Sequence, residues 1–119
     1  MKHFDIHEFD CPDCGENHMD EGFLERVDAA RERAGIPFPV NSGYRCPKRN
    51  AAVGGSPTSS HLTGHAADIE FLTDRARGMA IEALTDDAVG FKRLGIAHTY
   101  IHVDDDPEKT TKHLVVWLY

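Results

Sequence analysis

The chain has 119 residues, and its 20 acidic residues exceed its 13 lysines and arginines, which gives a net charge of −7. This length suits a single domain over residues 1–119, and a composition that is 40% hydrophobic and 28% charged is typical of a globular protein. The negative charge, without any basic run, argues against a nucleic-acid groove. No apolar run approaches the ~20 residues of a membrane span.

The sequence pattern in the first third of the chain predicts an arm, a helix and a strand. The first 18 residues are polar and rich in histidine, and we expect them to form an irregular arm, here called the N-terminal arm, over the domain. Asp20 is a suitable N-cap for a helix over residues 21–34, where apolar side chains recur at helical spacing. Gly35 ends this helix. Residues 38–42 contain a proline and predict a short edge strand.

The remaining elements are shorter. Residues 43–58 are rich in glycine and proline, which indicates an ordered functional loop with one helical turn. A strand is expected over residues 66–71, followed by a helix that Thr73 or Asp74 can cap. Two more strands are expected, over residues 100–104 and 114–118. This irregular order favours an α+β fold with a small, mostly antiparallel sheet flanked by helices.

A histidine and an aspartate lie seven residues apart in the segment that leads into the second strand. His61 precedes a turn that Gly64 allows, and Asp68 lies between apolar residues of a predicted core strand. A buried carboxylate is costly unless a cation or hydrogen-bond donors compensate it. The turn can bring the imidazole and the carboxylate to one point, which would suit zinc. A hydrogen bond that only stabilises the turn is the alternative interpretation.

The strand over residues 100–104 offers a third ligand. Alternation along a strand places Tyr100, His102 and Asp104 on one face. His102 would complete a His/Asp/His set with a fourth position open for water, which is the catalytic form of a zinc site. Asp104 lies about 6–7 Å further along this face. It could accept a proton from the activated water or orient His102.

The three cysteines form a second group of candidate metal ligands. Cys11, Cys14 and Cys46 are an odd number of thiols without a secretion signal, which favours a reducing compartment or a metal site over disulfides. Cys11 and Cys14 have the spacing of half a structural zinc site, to which Cys46 or His18 could add a ligand. Reduced cysteines that pin the N-terminal arm by packing are the alternative.

Several segments together resemble the M15 family of zinc peptidases, in particular its small branch often found in phage and prophage genomes. They are Ser42-Gly43-Tyr44-Arg45-Cys46-Pro47, Asn50 with Val53-Gly54-Gly55-Ser56, the S-x-H-x-x-G-x-A-x-D pattern from Ser59 to Asp68, and Ile101-His102-Val103-Asp104. The segment Glu8-Phe9-Asp10-Cys11, the pair Cys14-Gly15 and the terminal Trp117 also resemble that branch. The resemblance implies a fold similar to that of hedgehog domains and D-Ala-D-Ala zinc peptidases.

Proteins of this family cut peptides of bacterial peptidoglycan with one zinc ion, as D-Ala-D-Ala carboxypeptidases, dipeptidases or L-alanyl-D-glutamate endolysins. The resemblance implies that His61, Asp68 and His102 hold this zinc and that the chain is a metallopeptidase. The expected partner is a peptidoglycan stem peptide, with no nucleic acid or membrane, and the chain is expected to be a monomer. Since no signal peptide is seen, we expect it to be cytoplasmic as synthesised and to reach the wall through a holin, a phage particle or lysis.

The same resemblance implies roles for residues around the zinc. Arg45 would contact a substrate carbonyl or carboxylate as a catalytic and substrate-binding residue, which its planar guanidinium suits. Ser59 would line the pocket, and Tyr100 is a third candidate for substrate binding. Several relatives carry an acid at the position of Thr99, so Asp104 is the candidate for proton transfer here. A non-catalytic, zinc-stabilised binding or phage structural module is the alternative function.

Overall fold

A five-stranded sheet with three helices forms the domain in the computed structural model, which describes all of residues 1–119. In chain order the elements are α1 (Glu21–Ala34), β1 (Val40–Ser42), α2 (Pro47–Ala52), β2 (Ala66–Glu70), α3 (Asp74–Thr85), β3 (Arg93–Ile96), β4 (Tyr100–Asp104) and β5 (Val115–Leu118). Short 3-10 helices cover Ile6–Phe9, Ser60–Thr63 and Pro107–Lys109. The chain is therefore α+β, as its pattern predicts.

The sheet is mixed, with the strand order β1-β2-β4-β3-β5. Three of its four pairings are antiparallel, and only β3 and β5 run parallel. The expectation of a mostly antiparallel sheet therefore holds for every pairing except the one at the β5 edge. After β4 the chain crosses over β3 and forms β5 on the side of β3 that faces away from β4. Because both β3 and β5 run opposite to β4, they are parallel to each other.

The strand β3 is the one strand that the sequence does not predict. It is four residues long, begins with a charged residue and contains Gly95, so its intrinsic strand propensity is low. Gly95 is nevertheless required by packing. A side chain there would place its Cβ 2.6 Å from Cε2 of Trp117 and 2.7 Å from a ring carbon of Tyr119, both of which pack closely against it.

The two longer helices pack against each other and against one face of the sheet. The predicted apolar stripe of α1 is buried; it consists of Phe23, Leu24, Val27, Ala30 and Ala34. Inward-facing strand residues complete this core; they include Ala67, Ile69, Leu94, Ile101 and Val103. Because side chains alternate along a strand, the opposite face of β2 and β4 presents the polar residues of the site. None of the helices has the length and apolarity that crossing a membrane requires.

The N-terminal arm lies against the domain. The backbone amides of Lys2 and His3 donate to the carboxylate of Asp28 on α1, at 3.0 and 2.8 Å. The side chain of Phe9 is fully buried, and its carbonyl accepts a hydrogen bond from the amide of Tyr44 at 2.9 Å. The arm is thus joined both to α1 and to the loop after β1.

Candidate metal centre

His61, Asp68 and His102 come together on the face of the sheet opposite the core. Asp68 of β2 and His102 of β4 are cross-strand partners in register. His61 reaches them from the 3-10 helix that precedes β2. One ligand atom of each residue lies within 4.8 Å of the other two, and all three residues are buried. The three ligands expected from the sequence therefore meet at one point.

A tight turn positions His61. Gly64 has a φ of 77° and packs so closely against the backbone of His18 that any side chain would collide with it. The hydroxyl of Ser59 accepts a hydrogen bond from the amide of His61 at 3.3 Å and caps the 3-10 helix. The carbonyl of Gly43 accepts a hydrogen bond from Nδ1 of His61 at 2.8 Å. The turn and these two contacts together determine where the ring points.

Both imidazole rings turn an unprotonated nitrogen toward Asp68. The Gly43 carbonyl only accepts hydrogen bonds, so Nδ1 of His61 carries the hydrogen of that ring. The same reasoning holds for the Asp104 carboxylate, which accepts from Nε2 of His102 at 2.7 Å. The lone pairs of His61 Nε2 and His102 Nδ1 consequently face Asp68 Oδ1, at 3.2 and 3.0 Å. Three acceptor atoms this close repel one another unless positive charge lies between them.

The donor set fits zinc. Imidazole nitrogens and a carboxylate oxygen are ordinary zinc ligands, and three protein ligands leave one position open. With bonds of about 2.0–2.1 Å, the ligand atoms of a tetrahedral zinc lie about 3.3 Å apart. The distances of Asp68 Oδ1 to the two ring nitrogens, 3.2 and 3.0 Å, are close to that value.

Protons supply the same positive charge when no metal is bound. Burial acts to lower the pKa of His102, but hydrogen bonds with the carboxylates of Asp104 and Asp68 outweigh it and raise that pKa. Burial likewise acts to raise the pKa of Asp68, but hydrogen bonds with His102 and His61 hold it well below its usual value. Asp68 is therefore ionised, and metal and a proton compete for Nδ1 of His102.

Arg45 lies on the other oxygen of Asp68. Its Nη2 is 3.2 Å from Asp68 Oδ2, and its Nε donates to the hydroxyl of Ser42 at 3.0 Å. Its Nη1 donates to Oδ1 of Asn50 at 3.4 Å, and Nδ2 of Asn50 donates to the carbonyl of Ser56 at 2.8 Å. The guanidinium is thus held from several sides at the edge of the ligand set.

Asp104 lies behind His102. Its side chain is 1% exposed, and both of its oxygens are engaged, Oδ2 with His102 and Oδ1 with Nε of Arg93 at 2.7 Å. Burial acts to raise the pKa of Asp104, but the hydrogen bonds from His102 and Arg93 outweigh it and lower that pKa. Of the two roles considered for Asp104, this geometry favours the orientation of His102.

A cleft of about 330 Å³ opens in front of the three ligands. All three residues expected to bind substrate line it, namely Arg45, Ser59 and Tyr100. Its lining contains no acidic side chain besides Asp68 and Asp104. Thr99, where several relatives carry an acid, is exposed and lies outside this lining.

The sequence model described as Peptidase M15 matches residues 2–104, a span that contains the three ligands and Arg45. The chain belongs to the M15 peptidase family. Because M15 peptidases depend on zinc, the family supports both the hydrolytic chemistry and the metal that the resemblance implied. A search of the curated proteins found no match.

Among the cleft-lining residues of this M15 peptidase that were not predicted as site residues are four with large side chains: Arg93, Lys109, Trp117 and Tyr119. The ring of Trp117 lies 5.5 Å from that of His102, and the guanidinium of Arg93 lies over it at 4.9 Å. Lys109 donates to the hydroxyl of Ser60 at 3.0 Å. Strand alternation could have placed Trp117 and Tyr119 on one face, but only the pairing of β5 with β3 brings that face to the site.

Two other groups of candidate ligands occur in the peptidase. One consists of the three cysteines. The other consists of Asp20, His65 and Asp105, but its carboxylates already have partners: Asp105 binds Arg26 at 2.9 Å, and Asp20 accepts from the first turn of α1. Nδ1 of His65 donates to the carboxylate of Asp105 at 2.8 Å, so His65 is held by this contact and is not among the three converging residues of the candidate centre.

Proposed function

We propose that the chain is a zinc-dependent peptidase that cleaves stem peptides of bacterial peptidoglycan, either as a D-Ala-D-Ala carboxypeptidase or as an L-Ala-D-Glu endopeptidase. The observation that carries this proposal is the convergence of three metal-ligand atoms at the base of an open cleft. Membership of the M15 family supports the reaction class. The choice of peptidoglycan as substrate rests on the resemblance in the motifs around Arg45, His61 and His102.

His61, Asp68 and His102 would hold the zinc ion. Zinc in such a site lowers the pKa of water toward ~7 and polarises the scissile carbonyl. The contribution of the chain is to fix the ligand atoms in advance. The Gly43 carbonyl and the Asp104 carboxylate each hold one ring from behind, so that the correct nitrogen faces the metal.

We assign Arg45 to the substrate. Its guanidinium is restrained by Ser42 and Asn50 and lines the cleft beside Asp68, so it can donate a charge-assisted hydrogen bond without reorganising. A peptide carbonyl or a terminal carboxylate has the matching acceptor oxygens. Ser59 keeps its hydroxyl hydrogen for a substrate acceptor, since its oxygen already accepts from the backbone.

We assign Asp104 to positioning. Both of its oxygens hold hydrogen bonds and its side chain is almost fully buried, so it orients His102 and has no free oxygen for a proton from the cleft. Proton transfer by Asp104 would require it to release either His102 or Arg93. The absence of a free acid from the cleft lining favours the second candidate function, a zinc-stabilised binding or phage structural module without turnover.

One experiment separates these functions. The zinc-loaded protein is incubated with a pentapeptide stem, and the products are identified by mass spectrometry. Release of terminal D-alanine indicates a carboxypeptidase, and cleavage after the first L-alanine indicates an endopeptidase. His61→Ala should yield neither product, and the exposed control Lys112→Ala should match the wild type. A zinc-loaded wild type that yields no product from this stem would refute the peptidoglycan peptidase and support the non-catalytic module.

A further inference from the structure

Three cysteines from two distant segments meet at the edge of the N-terminal arm. Cys11 and Cys14 belong to the arm, and Cys46 is the N-cap of α2. Their sulfur atoms all lie within 4.8 Å of one another, and all three thiols are free. Cys11 and Cys46 are buried, whereas Cys14 is exposed. Nothing in the proposed peptidase chemistry uses this cluster.

The turn from Cys11 to Cys14 is closed by two backbone hydrogen bonds. The amide of Cys11 donates to the carbonyl of Glu16, and the amide of Gly15 donates to the carbonyl of Cys11, both at 2.9 Å. Gly15 has a φ of 74°, a conformation that glycine adopts without strain. The turn thereby presents both sulfurs to the same side, with the C-x2-C spacing that zinc sites use.

Backbone amides point at two of the three sulfurs. The amide of Cys46 donates to Sγ of Cys11 at 3.5 Å, and the amide of Arg49 donates to Sγ of Cys46 at 3.4 Å. Amide donors stabilise the charged form of the group that they contact. For a cysteine this form is the thiolate, which is the form that binds metals.

We propose that Cys11, Cys14 and Cys46 bind a second, structural zinc ion through their three sulfurs. Soft thiolates favour zinc over harder cations such as magnesium or calcium. Structural zinc sites usually take all four ligands from the protein. Here the cysteines supply three, and a solvent ligand beside the exposed Cys14 supplies the fourth, away from the cleft that the catalytic centre faces. His18, the other ligand suggested by the sequence, is not part of the converging set. Its Nε2 instead lies 3.4 Å from the carboxylate of Glu16.

The second zinc would fasten the N-terminal arm to the segment that supports the catalytic centre. Cys46 directly follows Arg45 in the chain. Gly43, two residues before Arg45, accepts the hydrogen bond from Nδ1 of His61. Gly43 also packs against the arm, because a Cβ on it would lie 2.6 Å from the carbonyl oxygen of Phe9. A metal at the cysteines therefore restrains the same short segment that places Arg45 and orients His61.

Metal analysis of the full chain, purified under reducing conditions with zinc, tests this proposal. The wild type should carry two zinc ions per chain. Cys14→Ser should lose one, and because Cys14 is exposed the change leaves the core intact. His61→Ala should lose the other. Asp13→Asn, a substitution in the same turn that removes no thiol, is the matched control and should keep both ions.

Cobalt identifies the ligands independently of the count. Co2+ bound to the metal-free His61→Ala protein should give the near-ultraviolet band of thiolate-to-cobalt charge transfer. The band should be lost when Cys11→Ser and Cys14→Ser are added to that variant. A zinc content that does not fall in Cys14→Ser, a cobalt complex without the thiolate band, or a disulfide between two of the cysteines in zinc-loaded protein would each overturn the proposal. Two zinc ions with the thiolate band support it even if no stem peptide is cleaved.

Discussion

The Nε2 of His102 donates a 2.7 Å hydrogen bond to the carboxylate of Asp104, two residues further along the same face of β4. Because this nitrogen is engaged, the other one, Nδ1, faces Asp68 on the neighbouring strand. Arg93 of β3 holds the second oxygen of Asp104. The strand β4 thus carries both the proposed ligand His102 and the carboxylate that orients it, and Arg93 of the adjacent strand β3 fixes that carboxylate.

We predict that Asp104→Asn weakens zinc binding. Loss of an orienting carboxylate typically lowers metal affinity about 10–100-fold, and competition with a chelating dye measures this change. At saturating zinc, kcat should largely recover, because the substitution leaves the ligands in place. Asp105→Asn is the matched control: its carboxylate binds Arg26 and His65 but no ligand, so zinc affinity should not change. Unchanged zinc affinity in Asp104→Asn, with loss of one limb of the pH–rate profile, would instead indicate proton transfer.

Arg45→Ala should lower kcat/KM about 10²–10³-fold, the usual effect of removing one donor that stabilises a developing negative charge. Zinc content should stay as in the wild type, because the ligand atoms are retained. Arg45→Lys should restore little activity, since an ammonium cannot contact Asp68, Ser42 and a substrate oxygen together as the guanidinium fork does. Loss of zinc in parallel with activity would mean that Arg45 acts only by holding Asp68.

Gly95→Ala should destabilise the fold by about 1–3 kcal/mol, as overpacking a close contact does. The added methyl group collides with the ring of Trp117, which must move away from the cleft. Denaturant unfolding measures this loss of stability. In a protein that already carries Trp117→Ala, Gly95→Ala should lower the free energy of unfolding by less, because the ring that its methyl group meets is gone. Gly78→Ala on α3 is the control: its Cβ meets nothing within 4 Å, so a gain of about 0.5–1 kcal/mol is expected. Equal stability of Gly95→Ala and the wild type would contradict the packing of β5 on β3.

Asp28 should make the stability of the N-terminal arm depend on pH. Burial acts to raise the pKa of Asp28, but the amides of Lys2 and His3 outweigh it and lower that pKa. A lowered pKa in the folded state means that the contribution of Asp28 is fully present above the unfolded value of about 3.9 and is lost as the pH falls through the folded value. The unfolding free energies of the wild type and Asp28→Asn should therefore differ at pH 7. This difference should shrink as the pH falls below about 4 and vanish once the pH is below the pKa of Asp28 in the folded protein. A difference that does not change with pH would show that the carboxylate charge has no part in holding the arm.

Local chemistry decides which elements can be predicted from the sequence. The helix α1 is predicted at both ends, because Asp20 caps its first turn and Gly35 adopts the left-handed conformation after its last. The strand β3 is not predicted, because its glycine is selected by the ring of Trp117, which lies on a strand that follows much later in the chain. Its parallel partner β5 is predicted as a strand, but the direction of their pairing is not.

The same distinction holds in the site. The convergence of His61, Asp68 and His102 could be predicted, since a turn and strand alternation bring them together. The sequence does not decide whether Asp104 transfers a proton or orients His102. The deciding contact is made by Arg93, which lies on the unpredicted strand β3 and binds the second oxygen of Asp104. The contact between Arg45 and Asp68 likewise depends on how the loop after β1 packs beside β2.

X-ray diffraction data collected at the zinc absorption edge, from crystals of the zinc-loaded protein, test the central claim most directly. We expect an anomalous-difference peak within about 2.0–2.2 Å of His61 Nε2, Asp68 Oδ1 and His102 Nδ1. Coordination of His102 through Nδ1 rather than Nε2 is the result specific to this account, because Nε2 donates a hydrogen bond to Asp104. No zinc peak among these three side chains, in crystals that contain zinc, would contradict the account.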